Sequence, residues 1–145
     1  MGRIIGIDFG RKRIGLAVTD NLQMIASPLK TVNQAEFEIF MKEYMTKEQV
    51  EGFAIGWPKN LDNSPSESMN DLIPFINRLK KLFPTIPIYK IDERFTSVIA
   101  HQAMIEGGVK KKNRQDKKMV DRISATLILQ SFLENKTNII NDYKR

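Results

Sequence analysis

The sequence predicts an α/β fold: a mixed five-stranded sheet, its first three strands antiparallel, flanked by helices. Three observations carry that reading. The first thirty or so residues hold short apolar runs separated by turn residues, which is the pattern of strands. Beyond Asn33 the apolar spacing changes to threes and fours, the period of a helix, with short apolar runs at 50–55 and 86–91 between the helical stretches. Strands joined through helices run parallel whereas a hairpin is antiparallel, so the sheet must be mixed.

Taken in order, Ile4, Ile5 and Ile7 lead to Asp8, and Gly10-Arg11-Lys12-Arg13 breaks the run before Ile14-Gly15-Leu16-Ala17-Val18 resumes it. Two apolar runs around a short Gly-containing turn predict an antiparallel hairpin. A third strand covers Met24 to Val32, and Pro28 restricts it to an edge or a bulge. A helix is expected after Asn33, which stands three residues before Glu36 as in a capping box. Phe37, Phe40, Met41, Tyr44 and Met45 form its apolar stripe. Val50 to Ile55 reads as a buried strand closing on Gly56-Trp57-Pro58, with a polar loop at 59–63. Ser64-Pro65-Ser66-Glu67 opens the next helix, with Ser as N-cap and Pro in the first turn. Its core face is Met69, Leu72, Ile73, Ile76, Leu79 and Leu82, and Pro84 ends it. The fifth strand, Ile86 to Ile91, closes on Asp92-Glu93-Arg94. A helix from about Thr96 to Glu106 stops at Gly107-Gly108, and a last helix runs from about Asp116 to Glu134. The domain is expected to span residues 1–135, leaving 136–145 as a polar C-terminal tail with no assigned element.

Composition narrows the chemistry. The 145 residues include no cysteine and one histidine, His101. Disulfides, thiol nucleophiles, iron–sulfur clusters and cysteine-bound zinc are therefore excluded, and a histidine triad would need improbable economy. Carboxylates, lysines, hydroxyls and a hard metal ion remain. The formal charge is +6, and the second half of the chain carries the excess: residues 71–145 hold 15 Lys/Arg against 8 Asp/Glu. Such asymmetry points to a polyanionic partner. No apolar run approaches the roughly 18 residues that a membrane helix requires, so a soluble, cytoplasmic protein that does not bind membranes is expected.

Three acids stand out. Asp8 ends the first strand after an apolar run, and by itself also reads as a turn residue before Gly10. Glu93, beside Asp92, ends the fifth strand in the same way, and by itself also reads as a strand-end charge or a cap. Asp121 shares a helix face with Ala125, Ile128 and Phe132, where a bare carboxylate is costly. It must be paired with Arg122, Lys117 or another basic neighbour, be protonated, or bind a metal. Gathered at one point, the three acids would repel unless cations held them, and hard oxygen ligands suit one or two Mg²⁺ or Mn²⁺ ions. Such ions can activate water and stabilise a leaving oxygen in phosphodiester cleavage.

These residues also resemble a known family. Gly6-Ile7-Asp8-Phe9-Gly10, with Lys12-Arg13-Ile14-Gly15-Leu16-Ala17-Val18 and Asp20, is similar to the opening motif of the YqgF (RuvX-like) nucleases. Gly56-Trp57-Pro58-Lys59-Asn60, Asp92-Glu93-Arg94-Phe95-Thr96-Ser97 and Asp121-Arg122-Ile123-Ser124-Ala125 match its other blocks in order, so the resemblance covers about residues 2–134. Trp57 departs from the usual Leu, and Asn63 from the Gly that often follows the preceding Asp. The resemblance implies a ribonuclease H-like fold related to the RuvC resolvases, and a cytoplasmic nuclease maturing the 5′ end of the small-subunit ribosomal RNA precursor. Holliday junction resolution is the alternative role it implies. It assigns Asp8, Glu93 and Asp121 as metal-binding catalytic acids, with Asp92 a substitute for Glu93.

A basic stretch immediately precedes the proposed catalytic helix: Lys110, Lys111, Lys112, Arg114, Lys117 and Lys118. It reads either as a solvated loop or as a cradle for a phosphate backbone. Arg11, Lys12 and Arg13 in the first turn would add a second contact, and Arg94 either binds phosphate or neutralises its acidic neighbours. Contacts of this kind give affinity without sequence choice, so specificity is expected to come from nucleic-acid shape. Structured RNA is preferred over branched DNA only as the resemblance implies. Trp57 reads as a packing residue or a base-stacking one. A monomer or a homodimer is compatible with the sequence, as is a non-catalytic nucleic-acid-binding module. Against the module stands Asp121, which pure binding gives no reason to keep on an apolar face.

Overall fold

The computed structural model of the chain describes residues 2–57, 69–92, 116–134 and 139–142. β1 (Arg3–Phe9) and β2 (Ile14–Thr19) form the expected hairpin, and β3 (Ala26–Val32) pairs antiparallel with β2. α1 (Gln34–Lys47) returns the chain to β4 (Val50–Trp57), parallel to β1, and α2 (Met69–Leu82) returns it to β5 (Ile88–Asp92), parallel to β4. α3 (Lys117–Glu134) and β6 (Ile139–Asp142) complete the described elements.

The sheet has six strands, in the order β3-β2-β1-β4-β5-β6, where five were expected. The sixth comes from residues assigned to the tail. β6 pairs antiparallel with β5, matching Ile91 with Ile139, and so covers what would be an open edge. Two isoleucines among polar residues give no period-2 alternation, so only backbone pairing reveals this strand.

Apolar side chains divide between two layers. Ile5, Ile7, Ile14, Leu16, Phe53 and Ile55 project to one face, where Phe37 and Met41 of α1 and Leu72, Ile76 and Leu79 of α2 cover them. Ile4, Ala17, Ala54 and Ile91 project to the other, against Ala125, Ile128, Leu129 and Phe132 of α3. The alternation of strand side chains thus decides which residues face α3 and which face α1 and α2. Ile73, expected in the core face of α2, is instead 47% exposed, because Met69, Leu72, Ile76 and Leu79 define a stripe with Ile73 at its margin.

Local chemistry explains the element boundaries. Asn33 accepts the Glu36 backbone N–H at 2.8 Å, while the Glu36 carboxylate accepts the Asn33 N–H at 2.9 Å, closing the capping box that starts α1. Asn33→Ala removes the side-chain half of it and is expected to cost about 1 kcal/mol. That corresponds to a fall of roughly 2–4 °C in the thermal unfolding midpoint, read by calorimetry. β3 begins at Ala26, two residues later than expected, because Asp20 Oδ1 captures the N–H groups of Met24 and Ile25 at 2.8 and 2.9 Å. Those two donors hold the Asp20 carboxyl below its ordinary range. Gln23 lies in the left-handed region at φ 57° in this turn, anchored by its side-chain amide to the Gly2 carbonyl and Glu51. Pro28 satisfies both restrictions placed on it. It lies on the edge strand, opposite Ala17 where the β2–β3 register shifts.

Candidate active site

Asp8 sits at the carboxyl end of β1 on the same face as Ile4 and Gly6, the face covered by α3. Its register partner on β2 is Gly15. A Cβ placed on Gly15 would lie 2.1 Å from the Asp121 carbonyl oxygen, and one on Gly6 would lie 2.8 Å from the Ala125 carbonyl oxygen. Two glycines on one face of the hairpin therefore let the backbone of α3 rest directly on the sheet. This close approach carries Asp121 to the strand end that bears Asp8.

α3 starts where Asp116 Oδ1 accepts the Lys118 N–H at 3.0 Å, in agreement with the expected start. Thr31 of β3 ties the first turn down by donating its hydroxyl to the Lys118 carbonyl at 2.7 Å. Asp121 then stands one turn inside the helix, with Ala125, Ile128 and Phe132 buried along its own face. Its carboxylate is neither bare nor paired within the helix. Arg13 Nε, from the β1–β2 turn, donates to Asp121 Oδ2 at 2.7 Å, and the two side chains are only 33% and 19% exposed.

Asp8 and Asp121 border one open cavity of about 410 Å³, together with Arg11, Lys12, Arg13 and Lys117. The turn carries three consecutive cations with different partners. Arg11 reaches Asp71 of α2 at 2.6 Å and Arg13 reaches Asp121, while Lys12 has no ion-pair partner among the described residues. The groove therefore offers two carboxylates at its floor and a cationic rim. That arrangement can bind a phosphodiester and hold a cation against the acids.

The other predicted residues divide as follows. Asp92 borders a different cavity, of about 200 Å³, with Leu127, Ile128 and Ser131 of α3. Lys118 is exposed on the first turn of α3. Glu93, Arg94, Lys110, Lys111, Lys112 and Arg114 lie outside the described residues, as does His101. Trp57 packs against the core beneath α1 and α2, and Lys90 Nζ sits 3.9 Å from its ring centroid, so the packing role is the one found. Sequence reasoning missed Gly6 and Gly15 as positioning residues and the Arg13–Asp121 pair. The first was signalled by strand parity, since positions 6 and 8 share a face and 15 lies opposite 8. The second had no signal, because 108 residues separate the partners.

The family model described as "RuvX: Holliday junction resolvase" matches residues 2–135. A relative from Phocaeicola vulgatus, named "Putative pre-16S rRNA nuclease", is 54% identical over 96% of this chain and 100% of its own. One from Bacteroides thetaiotaomicron, with the same name, is 54% identical over 94% of this chain and 99% of its own. Among solved structures, RuvC of T. thermophilus in complex with a Holliday junction substrate aligns with a TM-score of 0.59 at 16% identity, covering 96% of this chain and 99% of that one. Fowlpox virus resolvase with its junction DNA aligns with a TM-score of 0.56, also at 16% identity, over 92% of this chain and 98% of that one. At such identities the likeness is one of fold, the ribonuclease H-like arrangement that the family resemblance implied. The opening motif on β1 and β2, the acid on α3 and a match across nearly every residue agree: the chain belongs to the RuvX family.

Proposed function

We propose that this member of the RuvX family hydrolyses phosphodiester bonds of nucleic acid in the Asp8–Asp121 groove, and that its substrate is the precursor of 16S ribosomal RNA at its 5′ end. The observation that carries the site is the convergence of two acids, from a strand end and a helix, on one cavity rimmed by cations. The substrate reading is supported by relatives of that name at 54% identity over almost the full chain. The cytoplasm, where such a precursor is made, is the proposed site of action, and among the described residues no helix is long and apolar enough to cross a membrane.

The donor set fits a hard divalent cation. Both groove acids are carboxylates, and the chain has no cysteine to favour a soft metal. Asp8 and Asp121 would hold Mg²⁺ or Mn²⁺, one ion or two. We propose Glu93 over Asp92 as the third acid. The preference rests on the resemblance of Asp92-Glu93-Arg94 to the family block, with Asp92 as the substitute. A bound ion would supply Lewis acidity to the scissile phosphate and the attacking water. The chain's own part is to fix the acids on rigid elements and to seat the phosphate backbone on Lys12, Lys117 and the neighbouring arginines. Lys110, Lys111, Lys112, Arg114, Lys118 and Arg94 extend that basic surface in the proposal.

The family description and the fold shared with RuvC favour a second reading, cleavage of branched DNA. One comparison tests both. A ribosomal RNA precursor with its 5′ extension and a four-way DNA junction are each incubated with the protein, in Mn²⁺ and in EDTA. Cutting of the RNA alone, abolished by EDTA, is the expected result. Cutting of the junction alone transfers the assignment to DNA. Tight binding without cutting in either case would support a binding module instead.

A further inference from the structure

Arg13 is held by an acid that the proposed chemistry needs for something else. Its guanidinium occupies Asp121 Oδ2 at 2.7 Å in a half-buried pair, inside the cavity that Asp8 shares. A guanidinium does not deprotonate, so only competition can remove it from the carboxylate. Two carboxylates bordering one cavity repel each other, and Arg13 is the cation that compensates Asp121. A divalent ion at the same carboxylate would repel the guanidinium, whichever oxygen it took. The side chain has somewhere to go, because it lies on the turn that rims the open groove, next to Lys12.

We propose that Arg13 is a resident counter-ion for Asp121 that is displaced when a divalent cation binds, so that metal loading releases a guanidinium to the groove where the phosphate backbone would lie. This rests on the reading of Asp8 and Asp121 as metal-binding acids. It makes affinity for the polyanion depend on prior loading of the metal, which keeps an unloaded enzyme from holding substrate it cannot cut. The rival role is an orienting residue that stays on Asp121 and strengthens the ligand. The two roles predict opposite changes in metal affinity.

The test is calorimetric titration of Mn²⁺ alone into the full chain, as wild type, Arg13→Gln and Lys12→Gln. Displacement predicts that Arg13→Gln binds Mn²⁺ roughly three- to tenfold more tightly, the equivalent of losing one partly buried ion pair. Lys12→Gln removes the same charge from the same turn without touching Asp121, and it should stay within about twofold of wild type. Unchanged or weaker binding by Arg13→Gln overturns the proposal in favour of the orienting role. Equal tightening by both variants overturns it in favour of a general field effect. Failure of the wild type to bind Mn²⁺ would instead defeat the reading of the acids, and this inference with it. Should Arg13→Gln not fold, the side-chain Nε–H resonance of Arg13 in the wild type decides. Saturating Mg²⁺ should shift it and speed its exchange with water, and an unmoved resonance overturns displacement.

Discussion

Asp8→Asn is expected to lower the cleavage rate by roughly 100- to 1,000-fold or more, the loss seen when one electrostatic stabiliser is removed from a preorganised site. The substitution keeps the shape of the side chain and removes one negative charge from the strand end. Asp8 borders the same cavity as Asp121, and every other charged residue that lines it is a cation, of the β1–β2 turn or Lys117. Deleting one of two carboxylates there lowers their mutual repulsion. Nucleic-acid affinity should hold or rise slightly, since the cationic rim is intact and an acid facing the phosphates is gone. The signature is therefore a variant that still folds, binds nucleic acid at least as well as wild type under the same metal conditions, and has lost cleavage in Mn²⁺. A variant that cleaves at the wild-type rate would sink the assignment of Asp8. One that loses cleavage only because it unfolds would show a lowered midpoint, and that outcome would move Asp8 from catalysis to structure. Such a combination of lost function and kept stability is what repelling charges held for chemistry produce.

Much of this site is legible in the amino-acid sequence, because it is written in local patterns. An acid closing an apolar strand, and another interrupting the apolar face of a helix, are anomalies that period-2 and period-3.6 reading expose directly. The capping box at Asn33 and Glu36 and the edge position of Pro28 follow from residue chemistry within a few positions, and both are found as expected. What local pattern does not supply is pairing across distance. Arg13 carries the same charge as Arg11 and Lys12, and nothing in the turn says which of the three will meet Asp121, which Asp71, and which solvent. β6 escapes for a different reason. Its pairing with β5 depends on the partner's unpaired backbone groups, and a short strand with two isoleucines has too little side-chain signal to announce that. Glu93 and the cations of 94–114 fall outside the described residues, so their part in the site is a proposal.

Gly15→Ala, a single methyl group, is expected to cost about 3 kcal/mol, near the upper end for overpacking. Typical domains have about 5–15 kcal/mol of total stability, so this is a large share. Conformation is not the reason, since Gly15 lies within β2, where alanine is sterically admissible. The obstacle is contact. The new Cβ would stand 2.1 Å from the Asp121 carbonyl oxygen and 2.5 Å from its carbonyl carbon, and both are backbone atoms of a helix that cannot rotate aside as a side chain could. Relief requires α3 to lift from the hairpin by about 1 Å, and the residue that moves most is Asp121 itself. A displacement of that size can cost roughly a hundredfold in rate even where no reacting group is changed. Gly6→Ala provides the internal comparison. Its Cβ meets the Ala125 carbonyl oxygen at 2.8 Å, one helical turn beyond the acid, so it should destabilise less and disturb cleavage less. Measured well below both unfolding midpoints, Gly15→Ala should show the greater loss of kcat for any given loss of stability. If the two variants instead fall on one line of activity against stability, the glycines serve only to pack the helix. The seating of α3 on Gly15 would then have no separate part in bringing Asp121 to Asp8.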